Sequence, residues 1–167
     1  MKEILQQYAA YNVWANKRLS DATLKLPEEF HTKPVVCSFE HLHGTVLHLW
    51  DAESIWWQRM KLQEVVTMPS LNFKGNTRDV FNALIHQNML WQNWVNASTE
   101  AGLTHVFQYY NSKREYFKQP LYQALMQVFN HATYHRGQIV SILKSFGQEQ
   151  IPATDFIVFT RSKKSGF

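Results

Sequence analysis

Two histidines four residues apart, His131 and His135, stand in the run Asn130-His131-Ala132-Thr133-Tyr134-His135-Arg136-Gly137-Gln138. Around them Leu121, Leu125, Val128, Phe129, Ala132, Ile139, Ile142 and Leu143 recur at helical spacing. Positions i and i+4 of a helix lie one above the other on one face, so two imidazoles placed this way can hold a metal ion from one side. No glutamate follows the first histidine, so the general base of the zinc-protease pattern is missing. Taken alone the pair is a weak signal. One surface histidine and one hydrogen-bonded core histidine account for such a spacing more often than a metal does.

A second group of histidines, His41, His43 and His48, falls in a stretch where Phe39, Leu42, Val46, Leu49, Ile55, Trp56 and Met60 give a helical period over about 39–62. Ser38 is placed to cap it, with His41 in the position a glutamate would take in a capping box. On this reading His41 and His48, seven apart, share a face and His43 points away. His48 lies between Leu47 and Leu49 and needs a hydrogen-bond partner or a metal. Asp51 is one turn on and can orient an imidazole. For this helix considered by itself, a satisfied core histidine is the favoured reading.

The elements that position these residues are mostly helices. Ile4, Leu5, Tyr8, Tyr11, Val13, Trp14, Ala15, Leu19 and Ala22 predict a first helix over 3–24. Asn12 and Asn16 are poor helix formers within it, and either face solvent or bond to a neighbouring element. A loop over 26–37 follows, with His31 expected on its surface. Asn76 or Thr77 caps a helix over 77–99, ended by Gly102, in which His86 is structural or exposed. Residues 104–110 and 115–118 read as a short hairpin. Pro120 suits the first turn of the last long helix, 119–146, and Gly147 its C-terminal stop. Phe156-Ile157-Val158-Phe159 is too apolar to stay in water and should pack back. The expected fold is all-α: an antiparallel four-helix bundle with a short hairpin before its last helix, as one domain over 1–167.

Composition narrows the function classes. Of 167 residues 45% are hydrophobic and 14% aromatic, which suits a core or a pocket built from flat side chains. The single cysteine, Cys37, excludes an internal disulfide framework and fits a reducing compartment. It reads as a small hydrophobe at a helix start, the alternative being a thiol activated by the helix dipole. The N-terminal stretch has no apolar signal-peptide core, and no window reaches a membrane span, so a cytoplasmic location is expected. The net charge of +4 comes in large part from Arg161, Lys163 and Lys164 rather than from a dense basic stripe, so no nucleic-acid partner is expected. No Ser-His-Asp arrangement, phosphate loop or CxxC is present.

In order along the chain, Tyr11-Asn12-x-Trp14-Ala15-Asn16-x-Arg18, Leu47-His48-x-x-x-Ala52-Glu53-x-x-Trp56 and Asn130-His131-x-x-x-His135-Arg136-Gly137-Gln138-Ile139 resemble the DinB/YfiT-like metalloenzyme family. The resemblance covers nearly the whole chain, and the block after the second histidine is its most specific part. It implies an up-down-down-up bundle and a divalent metal, nickel or zinc in most reports and otherwise iron or manganese, held by His48, His131 and His135. His41 is the runner-up for the ligand on the second helix. It also implies a small-molecule substrate, a homodimer, and in some relatives thiol S-transfer with a low-molecular-weight thiol as cosubstrate.

Three neutral imidazoles leave an ion with open positions. Thiolate transfer to an electrophile is the leading reaction type. The alternatives are metal-assisted hydrolysis of a small substrate and a non-catalytic metal-binding stress-response protein. Candidate helpers are Asp51, to orient His48, and Arg136, to bind an anionic group or to pair within the bundle. Gln138 and Asn130 lie close to the ligands in sequence. Tyr8, Tyr11, Trp14 and Trp56 either wall a cavity or fill the core.

Overall fold

The computed structural model describes residues 1–164, so the end of the expected domain, 165–167, and the side chains of Lys163 and Lys164 lie outside the described residues. Four long helices carry the fold: α1 (Lys2–Thr23), α2 (Leu42–Met60), α3 (Thr77–Ala97) and, after a short α4 (Glu100–Thr104) and a two-stranded hairpin, α5 (Leu121–Ser145). The hairpin pairs β1 (Val106–Tyr110) antiparallel with β2 (Tyr116–Pro120), Val106 opposite Pro120 and Tyr110 opposite Tyr116. A last helix, α6 (Phe156–Lys164), lays Phe156 and Phe159 against Tyr8, Tyr11 and Trp14 of α1, as the apolar tail requires.

Two apolar clusters set the helix directions. One gathers Leu19, Leu42, Val46, Phe81, Leu84, Ile139 and Leu143; the other gathers Leu5, Trp91, Val95, Leu125 and Phe129, with Trp56 and Trp57 packed on it. The end of α1 and the end of α5 therefore meet the starts of α2 and α3. The order is up-down-down-up, with α1 touching α3 and α5, and α2 touching the same two. This is the expected all-α bundle. Burying one stripe of each helix against two neighbours is what removes its apolar face from water.

The boundaries depart from the sequence reading where local chemistry overrides periodicity. Ser38 does not cap α2. Glu40 sits at φ 63°, a left-handed turn that delays the helix, and the imidazole of His41 becomes the cap, its Nδ1 accepting from Gly44 N–H at 2.8 Å. His41 is therefore outside the helix and shares no helical face with His48. Cys37 lies five residues before the helix, half-buried on the first apolar cluster, and is not at the helix N-terminus.

Nor is His31 exposed: it is 5% accessible, its ring Nε2 3.1 Å from Thr23 O, because the loop folds back over the end of α1. His43 turns to α3, where its Nδ1 lies 2.9 Å from Thr77 Oγ1. Gly102 falls inside α4 rather than ending α3, because Thr99 restarts the helix by accepting from Gly102 N–H at 3.0 Å. Asn76 and Asp79 form the reciprocal cap of α3. Pro120 closes β2 and caps α5 instead of entering its first turn. Gly147, at φ 79°, supplies the left-handed stop after α5. His86 is exposed.

Candidate metal centre

His131 and His135 lie one turn apart on the face of α5 that meets α2, and His48 reaches them from the middle of α2. The Nε2 of His131 stands 3.3 Å from Nε2 of His48 and 3.0 Å from Nε2 of His135. Ligand atoms of all three lie within 4.8 Å of one another. The antiparallel packing of α2 on α5 brings together residues 83 apart in sequence.

The rings are held from outside. His135 Nδ1 lies 2.8 Å from Oε1 of Gln138, an acceptor, so the ring proton sits on Nδ1 and the Nε2 lone pair faces the cluster. Gln138 in turn reaches Ser38 Oγ at 3.5 Å. Phe39 stacks on His48 with centroids 4.0 Å apart and planes 20° apart, and Tyr134 packs edge-on against His135. Phe39 and Tyr134 were not singled out in the sequence. Tyr134 is next to a histidine, but nothing local marks Phe39, which lies just before the left-handed turn at Glu40.

All three imidazoles are poised neutral. Burial, then the neighbouring His135 and His48, lowers His131 from 6.5 to about 4. Burial also lowers His48, helped by His135 and opposed by Asp51, and lowers His135, opposed by Gln138. Metal ligation requires the neutral ring. Two imidazole nitrogens bound about 2.0–2.1 Å from one ion stand about 2.8–3.4 Å apart for angles between octahedral and tetrahedral. The observed 3.0 and 3.3 Å separations fit that span, so the residues present suit a divalent cation.

The other candidates fall elsewhere. The Asp51 carboxylate accepts from the backbone N–H of Ser70 at 3.0 Å and from its hydroxyl, tying the connection after α2 back to the helix. It affects His48 only through its charge. Arg136 turns to α1, away from the histidines: Nη1 donates to Asn12 Oδ1 at 2.6 Å and Asn16 Oδ1 at 3.4 Å, and Nη2 donates to Thr133 Oγ1 at 2.7 Å.

Asn12 Nδ2 donates to Glu53 Oε1 at 3.0 Å, and Asn88 Nδ2 to Glu53 Oε2 at 2.6 Å. Asn16 Nδ2 donates to Asn88 Oδ1 at 2.8 Å. One buried polar layer thus joins all four long helices. Asn12 and Asn16 bond to neighbouring elements and do not face solvent. Glu53 and Asn88 were missed as members, because a polar residue in an amphipathic pattern reads as solvent-facing until its partners are placed. Asn130, Tyr8 and Tyr11 line a cavity on the α1 side of α5. Trp14 and Trp56 pack among aromatics, Trp14 on Phe159 and Trp56 on Tyr109.

An up-down-down-up helical bundle with three histidines converging from two helices defines a recognisable class of protein. The chain belongs to the DinB family, whose profile matches residues 1–165. It is similar to Protein DinB of Bacillus subtilis (strain 168), with 24% identity over 93% of this chain and 94% of that protein. In fold it is similar to a DinB-like protein from Bacillus cereus ATCC 10987, at a TM-score of 0.70 and 17% identity over 90% of this chain and 95% of the other. Among the described residues no helix is long and apolar enough to cross a membrane.

Proposed function

We propose that the protein is a divalent-metal-dependent enzyme in which His48, His131 and His135 hold the ion, and that it transfers a small thiol to an electrophile. The observation that carries the reading is the convergence of three neutral imidazole nitrogens from facing helices. An all-imidazole donor set suits zinc and nickel, and admits iron or manganese less readily. When bound, such an ion acts as a Lewis acid and lowers the pKa of a thiol or water beside it.

The chain's own residues do the rest. Gln138 fixes the His135 tautomer, and Phe39 and Tyr134 pack against the rings of His48 and His135. An apolar groove of about 750 Å³ runs beside Gln138 between Val35, Cys37, Tyr134 and Ile142, with room for the apolar body of a substrate. Hydrolysis of a small substrate is the reading that remains if turnover needs no thiol.

Elemental analysis of the purified protein beside His48→Ala and His131→Ala tests the site. Near-stoichiometric metal in the parent, lost in both variants, is expected. A parent that contains no metal and takes up none when it is added overturns the reading. For the reaction type, a cobalt-loaded sample should gain a thiolate absorption band on adding a small thiol. Absence of that band with a panel of biological thiols removes the S-transfer assignment and leaves the metal site standing.

A further inference from the structure

On the opposite side of α5 from the histidines lies a cavity of about 490 Å³ between α1, α5 and the chain entering α6. Its lining is mixed: Tyr8, Tyr11, Phe129 and Phe156 give it an aromatic side, with Tyr8 stacked on Phe156 at 4.8 Å and 19°, and Asn130 and Thr133 give it a polar one. Arg136 also lines it, and this side chain is only 2% accessible.

The guanidinium is a buried cation that lies over the Tyr11 ring, 4.9 Å from its centroid, and among the described residues donates to the neutral acceptors Asn12, Asn16 and Thr133. Its Nε–H has no partner among the described residues. The carboxylate of Glu53 interacts with it only from a distance, since Asn12 stands between the two. A buried charge without a directly bonded counter-ion is costly, and a guanidinium is the group best shaped to take a carboxylate. At the mouth the exposed carboxylate of Asp155 repels a second negative group.

We propose that this cavity is a ligand site, separate from the three-histidine cluster, for a small aromatic monocarboxylate whose ring lies among Tyr8, Phe129 and Phe156 and whose carboxylate meets Arg136. The site does not depend on the metal reading. Its aromatic side supplies apolar burial, Arg136 supplies the charge-assisted bond, and Asp155 disfavours dicarboxylates.

The test is a titration of the full chain with benzoate, followed by two-dimensional NMR, beside benzyl alcohol and phthalate. Because carboxylates also bind metals, the same titration is run on His131→Ala. Because Arg136 is buried and its replacement can unfold the bundle, the blocking variant is Asn130→Trp, at an exposed position on the cavity wall. Expected are saturable shifts at Tyr8, Phe129 and Thr133, with benzoate about tenfold or more tighter than benzyl alcohol and phthalate weaker than benzoate. They should persist in His131→Ala and be lost in Asn130→Trp. No saturable shift, equal affinity for benzyl alcohol, phthalate as tight as benzoate, loss in His131→Ala, or retention in Asn130→Trp each overturns the proposal.

Discussion

His135 donates its Nδ1 proton to Oε1 of Gln138, one turn further along the same helix, at 2.8 Å. That bond sets which nitrogen of the ring faces His48 and His131. Gln138→Leu is therefore expected to weaken divalent-metal binding by roughly 10–100-fold, the usual cost of losing the group that orients a ligating histidine. A competition titration against a chromophoric chelator checks this. The metal-free melting temperature should move little, since among the described residues the Gln138 side chain makes this bond and a 3.5 Å contact to Ser38.

Asn12 bridges Glu53 and Arg136 directly, whereas the second route between them runs through Asn88 and Asn16. Replacing it by Ala leaves Glu53 Oε1 and Arg136 Nη1 without it in a site where both residues are at most 2% accessible. Leaving buried polar groups short of a partner costs about 1–3 kcal/mol, and more where they are charged, so Asn12→Ala should lose at least that much stability in urea unfolding. A loss below about 1 kcal/mol would mean that water enters the layer and solvates the stranded groups.

Gly44 is required by its surroundings. A Cβ there would lie 2.5 Å from the carbonyl oxygen of Phe39 and 3.2 Å from the His41 ring. Because the nearer atom is backbone, the turn itself must shift. Gly44→Ala is expected to destabilise by about 1–3 kcal/mol and to lift Phe39 off His48. A lowered urea midpoint together with a changed ring-current shift on the Phe39 or His48 resonances checks both parts.

The metal-free protein should show two opposing pH responses. His131 titrates near 4 when folded and 6.5 when not, so between those values the unfolded chain binds more protons. Its contribution to stability is complete above 6.5 and is lost as pH falls through about 4; the lowered His48 and His135 act in the same sense. Glu53 behaves oppositely. Burial raises it from 4.5 to about 7, against the pull of Asn12, Asn88 and Arg136, so its contribution is complete below 4.5 and is lost as pH rises through about 7. In urea midpoints measured from pH 4 to 8, His131→Ala should flatten the acid side. Glu53→Gln should flatten the neutral side.

Much of the arrangement was legible from residue types. The period-3.6 stripes placed the four long helices within a few residues, since burial of one face is the strongest local demand on each. The hairpin showed in the β-branched and aromatic run Val106-Phe107-Gln108-Tyr109-Tyr110. His131 and His135 were legible as a pair because i and i+4 is a local relation. Joining His48 to them needed the family resemblance, as no local signal spans two helices.

What stayed hidden depends on turns and on partners far along the chain. The left-handed Glu40 moved the start of α2 and made His41 a cap, and periodicity carries no information about one residue's φ. Arg136 looked available to a substrate beside His135. The 100° step between adjacent helical positions turns it instead to Asn12 and Asn16.

The 83 residues between His48 and His131 also impose an order on synthesis. As the chain leaves the ribosome, α1, α2 and α3 emerge with a single histidine of the three. The neighbour that covers their remaining apolar stripe, α5, comes last among the long helices. The cluster can assemble only after His135 has cleared the exit tunnel. Any ion held by all three histidines is therefore acquired after α1, α2 and α3 have emerged, and cannot template the early steps of their folding.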